Sequence, residues 1–342
     1  MKITFVLKTT EMAGGIRVVF ELAQRLLARG WDSQVYALDG APEWIDSTVP
    51  VRKFTAFPDL AAALTQIEGE IVATLWRTAP WVARSANPGR GHYFVQDVES
   101  HLYTDSATQR EVLETYRLPL RRITDSLWVQ GELRGQGIES RYVGLGVNHD
   151  TFYVSLPMAN RERLVVANGP RRASWSHLKG TQLLTDTVSV LLQADAKVQV
   201  VTFSPEASGL PVNSDRYLHV PGASDSTIAK LLNRANCFLT TSSHEGLGLP
   251  ALEAMACGCA VVATAADGNL EYLRNGENGF VVERTPAALA GTVVRLLDSP
   301  LLATQLGADG VTTAGRYRWE TAVELFEAAV LDREAGGESD NV

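Results

Sequence analysis

The chain has 342 residues, of which 45% are hydrophobic and 20% charged, and its formal net charge is −8. This is globular composition with enough chain for two cores of about 150 residues each, which sets aside disordered and fibrous classes. The acidic balance repels phosphate backbones and argues against nucleic acid as a partner.

The three cysteines, Cys237, Cys257 and Cys259, are odd in number and lack metal-ligand spacing. They read as buried thiols of a reducing compartment. The apolar opening Ile3–Leu7 turns polar at Lys8, too soon for a signal peptide or a bilayer span. A cytoplasmic location is expected, with membrane contact limited to peripheral association at the inner face.

Ile3–Leu7 reads as a buried strand, followed by an amphipathic stripe through Ile16, Val19, Phe20, Ala23, Leu26 and Leu27 that ends at Gly30. Strands are then expected at 34–38, 71–75, 93–96, 126–129 and 141–144, with a helix over 106–118. The rhythm pauses between Gly144 and Asn160. It resumes with strands at 164–167, 198–203, 217–220, 237–240, 260–263 and 280–282, and helices at 178–192, 226–234 and after Pro250. Three helices close the chain, at 286–297, 301–317 and 319–333. Strands alternating with helices in this way define an α/β chain with two doubly wound, Rossmann-like parallel sheets. Such sheets bind ligands at their carboxyl edges, so a deep interdomain cleft is the expected site.

The most informative stretch runs from Ser242 to Gly258, with Glu245-Gly246-Leu247-Gly248-Leu249-Pro250 leading to Glu253. Pro250 suits a first helical position, where its missing N–H costs nothing, and Gly258 suits the residue past the end. The loop before Pro250 opens a helix whose free amides and positive dipole end fit a diphosphate. Glu245 and Glu253 could take two hydroxyl-bearing parts of one elongated ligand.

This stretch resembles the Glu-x7-Glu signature of family 4 glycosyltransferases of the GT-B fold (glycosyltransferase group 1 type). The likeness extends to Gly14-Gly15-Ile16-Arg17, Gly146-Val147-Asn148 with Phe152, Arg171 or Arg172 followed by Lys179-Gly180, Pro221-Gly222, Ala260–Ala263 through Glu271, and Asn278-Gly279. Tyr93–Asp97 with Tyr103 is similar to a branch that includes bacterial rhamnosyltransferases.

The resemblance implies an acceptor-binding domain over 1–155 and a nucleotide-sugar domain over 156–317. It further implies a helix over 318–333 returning to the first domain, and a tail over 334–342. It implies a retaining transferase that moves a hexosyl or deoxyhexosyl group from a UDP-, GDP- or dTDP-sugar. The acceptor would be a hydroxyl of a glycan, a lipid-linked molecule or a small natural product.

Glu253 would take the donor ribose, and Glu245 would sit beside the donor sugar. Gly246, Leu247, Gly248 and Leu249 would offer amides, Gly222 would lie in the base-binding turn, and Gly15 would approach the diphosphate. The departing diphosphate needs cations or a metal. No Asp-x-Asp motif is present, so Lys179 with Arg172, or Arg171 in the competing register, is the expected clamp, and neither metal nor cofactor is expected. Where many members carry a histidine, this chain has Gln96-Asp97; these, with Gly14, are expected contacts to sugar or acceptor. The competing readings are a nucleotide-sugar epimerase or phosphorylase on the same fold, and a non-catalytic nucleotide-sugar-binding partner.

Overall fold

The computed structural model describes residues 1–85, 89–171 and 173–332. Arg172 and the tail expected from residue 334 lie outside the described residues. The chain divides into two compact units, Met1–Gly146 together with the chain from Trp319, and Val147–Arg318.

The first unit runs β1 (Lys2–Leu7), α1 (Gly14–Ala28), β2 (Asp32–Ala37), β3 (Val51–Lys53), α2 (Phe57–Leu64), β4 (Glu70–Ala73), α3 (Ala79–Ser85), β5 (Gly91–Val95), α4 (Ser106–Thr115), β6 (Arg121–Thr124), α5 (Leu127–Gly135) and β7 (Arg141–Tyr142). Among the described residues its strands form one parallel sheet in the order β3-β2-β1-β4-β5-β6-β7. Helices cover both faces of such a sheet, which is why Ile3–Leu7 and Gly91–Val95 are buried at every position.

Residues 126–129, expected as a strand, instead open α5. Ser126 is extended and its hydroxyl accepts the Val129 N–H at 3.2 Å, capping the helix. The strand lies one segment earlier, where Arg121-Arg122 broke the apolar signal.

The second unit runs β8 (Glu162–Asn168), α6 (Ala173–Lys179), α7 (Thr181–Ala194), β9 (Gln199–Ser204), β10 (Tyr217–Pro221), α8 (Asp225–Arg234), β11 (Ala235–Thr240), α9 (Leu249–Ala256), β12 (Ala260–Thr264), β13 (Phe280–Val282), α10 (Pro286–Leu297) and α11 (Pro300–Ala314). Its parallel sheet has the order β10-β9-β8-β11-β12-β13. Val165, Val200, Leu239 and Val262 pack with Leu184, Val188, Leu289 and Val293 in its core. The single helix expected over 178–192 is two helices, broken at Gly180, whose φ of +66° is left-handed.

The boundary falls at Gly146, not at residue 155, because the intervening segment is tied into the second unit. The Asn233 side chain donates to Tyr153 O at 2.9 Å and accepts from Ser155 N at 2.7 Å, and Arg161 donates to Leu156 O. Strand order reverses between β1 and β4 in one sheet and between β8 and β11 in the other. These switch points open crevices at the carboxyl ends.

The closing helix α12 (Trp319–Val330) belongs to the first unit. Its buried Phe326 stacks on Phe5, centroids 5.8 Å apart, and meets Phe94 edge-on at 5.7 Å. Glu327 accepts from the Trp31 indole at 2.6 Å and from Arg29 at 2.9 Å. A side chain at Gly146 would place its Cβ 2.2 Å from Trp319 N, so only glycine permits this approach. Phe326→Ala should destabilise the first unit by about 3–5 kcal/mol, measured by chemical denaturation; a change well under 1 kcal/mol would mean that α12 does not complete that core.

Candidate functional site

The site in the second unit begins where β11 ends. Gly248 is the residue before α9, with φ +91°, and supplies no side-chain cap. A Cβ there would lie 3.1 Å from the Tyr272 hydroxyl, which donates to Gly248 O at 2.8 Å. The first amides of α9 thus have no capping side chain, and the helix dipole places positive potential over them. Leu249, rather than Pro250, is the first helical residue, and Pro250 is accommodated in the same first turn; Gly258 follows the end at φ +73°. Leu247 is buried, so this position offers its backbone.

The junction of α6 and α7 is pinned against this segment. Ser243 N donates to Leu178 O at 2.7 Å, the Thr241 hydroxyl donates to Lys179 O at 3.1 Å, and a Cβ at Gly180 would stand 2.1 Å from Thr241 O. Lys179 is thereby carried to Glu245, with Nζ 2.7 Å from Oε2. The Ser242 hydroxyl donates to the other carboxylate oxygen at 2.7 Å.

Burial pushes the Glu245 carboxyl upward, but Lys179, Ser242 and Arg171 together outweigh it and hold it below the usual range. Glu245 is therefore a carboxylate at neutral pH. Arg171, in the loop after β8, feels the charges of Glu245 and Glu206, while burial lowers its own pKa. Arg171 lies close enough to lower the Glu245 pKa, while the competing candidate, Arg172, lies outside the described residues.

Glu253 sits on α9 and is 3% exposed, so the helix that presents the amides also carries a buried acidic group. Asn168 Oδ1, at the end of β8, and Thr181 Oγ1, at the start of α7, are buried with no hydrogen-bond partner among the described residues. Gly222 forms the left-handed turn after β10, at φ +57°. The sheet order places β9 and β8 between that strand and β11.

Sequence reasoning missed two partners of this loop, His244 and Asp267. Their side chains meet at 2.7 Å across 23 residues of sequence, and no periodicity could have signalled the pairing.

In the first unit, α1 opens at Gly14 behind Ala13, again with no side-chain cap. A Cβ at Gly14 would meet open space, whereas one at Gly15 would lie 3.2 Å from Gln96 Oε1. That oxygen is buried and finds no hydrogen-bond partner among the described residues. Gln96 and Asp97 follow β5, and a short 3-10 turn, Glu99–Leu102, comes next.

Glu99, two residues past Asp97, is 5% exposed. The Tyr93 hydroxyl and Trp76 N, the latter at 2.8 Å, donate to its carboxyl, and its own N–H donates to the Tyr116 oxygen at 2.9 Å. Burial raises its pKa to about 8 against these hydrogen bonds, with the Asp97 charge adding to the rise. The native state thus keeps a proton on Glu99 that the unfolded chain releases near 4.5. Stability from this group is full below pH 4.5 and is lost as pH climbs to about 8. Relative to a Glu99→Gln variant, wild-type stability should fall between pH 5 and 8 and level off above, as read by melts across that range. Parallel curves would contradict a buried neutral acid.

Residues 165–299 match the family model described as Glycosyl transferases group 1. A D-inositol 3-phosphate glycosyltransferase of Acidothermus cellulolyticus is 33% identical over 181 residues, covering 52% of this chain and 35% of that protein. D-inositol 3-phosphate glycosyltransferase 1 of Catenulispora acidiphila is 30% identical over 211 residues, 56% of this chain and 47% of that protein. The chain thus spans about half or less of the length of these two relatives.

Among solved structures, HepE of Anabaena in complex with UDP-glucose aligns with a TM-score of 0.79 at 19% identity, over 97% of this chain and 100% of that one. Sucrose-phosphate synthase of Thermosynechococcus elongatus aligns with a TM-score of 0.76 at 19% identity, over 97% and 98%. The fold is GT-B, built of two Rossmann-like units, and the match to the group 1 model falls within the second unit.

Proposed function

We propose that the chain is a retaining, metal-independent glycosyltransferase that moves a hexosyl or deoxyhexosyl group from a nucleoside-diphosphate sugar to a hydroxyl acceptor. The observation that carries this reading is the Lys179–Glu245 ion pair beside the uncapped start of α9, with buried Glu253 on the same helix. The match to the group 1 model over β8–α10, and a fold shared with a protein whose structure holds UDP-glucose, support it.

In this reading the amides of Gly246, Gly248 and Leu249 receive the pyrophosphate, and Glu253 takes the ribose hydroxyls. Lys179 and Arg171 face the leaving phosphate. Glu245 holds a sugar hydroxyl and offers negative charge as the anomeric carbon becomes positive. The bond from that carbon to the phosphate oxygen breaks, the acceptor oxygen bonds on the same face, and the leaving phosphate takes the acceptor's proton. The protein contributes orientation and charge stabilisation.

Gln96, Asp97 and Gly14 are proposed acceptor- or sugar-side groups, and Gly15 is proposed to approach the donor diphosphate. We place the chain in the cytoplasm, a reading supported by three buried free thiols. Among the described residues no single helix is long and apolar enough to cross a membrane.

A panel of UDP-, GDP- and dTDP-sugars with simple hydroxyl acceptors tests the activity. With the donor that turns over, Lys179→Ala should cut turnover about a hundredfold, the scale of losing one charge-stabilising donor, and Glu253→Ala should mainly raise the donor KM. Near wild-type kinetics in both variants would refute the site. Turnover should also survive prior treatment with EDTA; loss on chelation and recovery with Mg²⁺ or Mn²⁺ would refute metal independence.

A further inference from the structure

Asp267 lies in the loop after β12 at φ 52° and ψ −96°. Glycine adopts such a backbone freely, and an L side chain is strained there. The loop is nonetheless tightly held. Asn269 donates to Thr264 O at 3.0 Å and accepts from Ala266 N at 3.0 Å. Gly268 N donates to Glu245 O at 3.0 Å, and residues 245 and 267 pair as an isolated parallel bridge. A Cβ at Gly268 would fall 1.9 Å from Gly246 O. The strained residue is therefore in direct backbone register with Glu245 and the amide-bearing loop.

Its side chain accounts for the strain. Asp267 Oδ2 is 2.7 Å from Nδ1 of His244, the residue immediately before Glu245, and His244 is only 5% exposed. A carboxylate on Nδ1–H fixes the plane and tautomer of an imidazole. A glycine would relieve the backbone but leave the His244 ring without that anchor.

We propose that Asp267 is a positioning residue. It clamps His244, and through His244 holds Glu245 and the run Gly246–Gly248 in the conformation that receives the donor. This rests on the reading of Glu245 and the start of α9 as the donor site.

The test compares Asp267→Gly and Asp267→Asn with wild type. Asp267→Gly suits the local backbone and should fold with a melting temperature at or above that of wild type. Its donor KM should rise at least tenfold, and hydrogen exchange of the Gly268 amide, which donates to Glu245 O at 3.0 Å, should quicken in the free protein. Asp267→Asn keeps a hydrogen-bond acceptor for Nδ1 and tolerates positive φ, so it should restore KM to within about threefold. Unchanged KM and unchanged exchange in Asp267→Gly would overturn the proposal while leaving the donor site standing. Quickened exchange in a protein that turns over no nucleotide sugar would instead uphold the clamp and reject the activity it is proposed to serve.

Discussion

The organising constraint of the second unit is a helix that begins without a side chain to satisfy its first amides. Helices α4, α5, α8 and α10 are closed by Asp105, Ser126, Ser224 and Thr285, whereas α1, α2, α7 and α11 share with α9 the lack of a side-chain cap. The helix after β11 is preceded by a left-handed glycine instead. Amides at a helix start that no side chain caps are suited to binding an anion. Lys179, at the end of α6, pairs with Glu245 in the loop before α9, and with Ser242 and Arg171 it keeps this carboxyl ionised. A single carboxylate with a lysine and a serine on its two oxygens is pre-oriented, so little rearrangement is needed when a charged ligand arrives.

Close backbone approaches maintain that geometry. Gly180 lies against Thr241, Gly268 against Gly246, and the Tyr272 hydroxyl on Gly248 O. None of these positions tolerates a Cβ without displacement of a neighbouring atom. The glycines flanking the loop thus do two jobs, a turn and a contact, and their spacing in sequence reflects contacts that are distant along the chain.

Much of the second unit was legible in the sequence. Apolar runs at 237–240 and 260–263, with Pro250 and Gly258 as punctuation, located β11, β12 and α9, because a fully buried parallel strand leaves a continuous hydrophobic signature. The elements that escaped were short or half-polar. β3 is Val51-Arg52-Lys53, β6 opens with two arginines, and α2 and α3 are under three turns. Within the site, Glu245 and Glu253 stand out by their glycine-rich setting, whereas the Lys179 contact spans 66 residues and came only through family resemblance. The Glu99 cluster draws Trp76, Tyr93 and Tyr116 from separate elements, and the His244–Asp267 pair depends on a strained loop. Tertiary packing alone creates both, so no local pattern announces them.

The central claim is that the start of α9 receives a pyrophosphate while Glu253 takes the ribose. A crystal structure of the protein with UDP, or with whichever nucleoside diphosphate binds, tests it directly. The account predicts phosphate oxygens within hydrogen-bond distance of amides between Gly246 and Leu249, with the ribose hydroxyls on the Glu253 carboxylate. A bound nucleotide whose phosphates lie elsewhere, with those amides facing solvent, would contradict it.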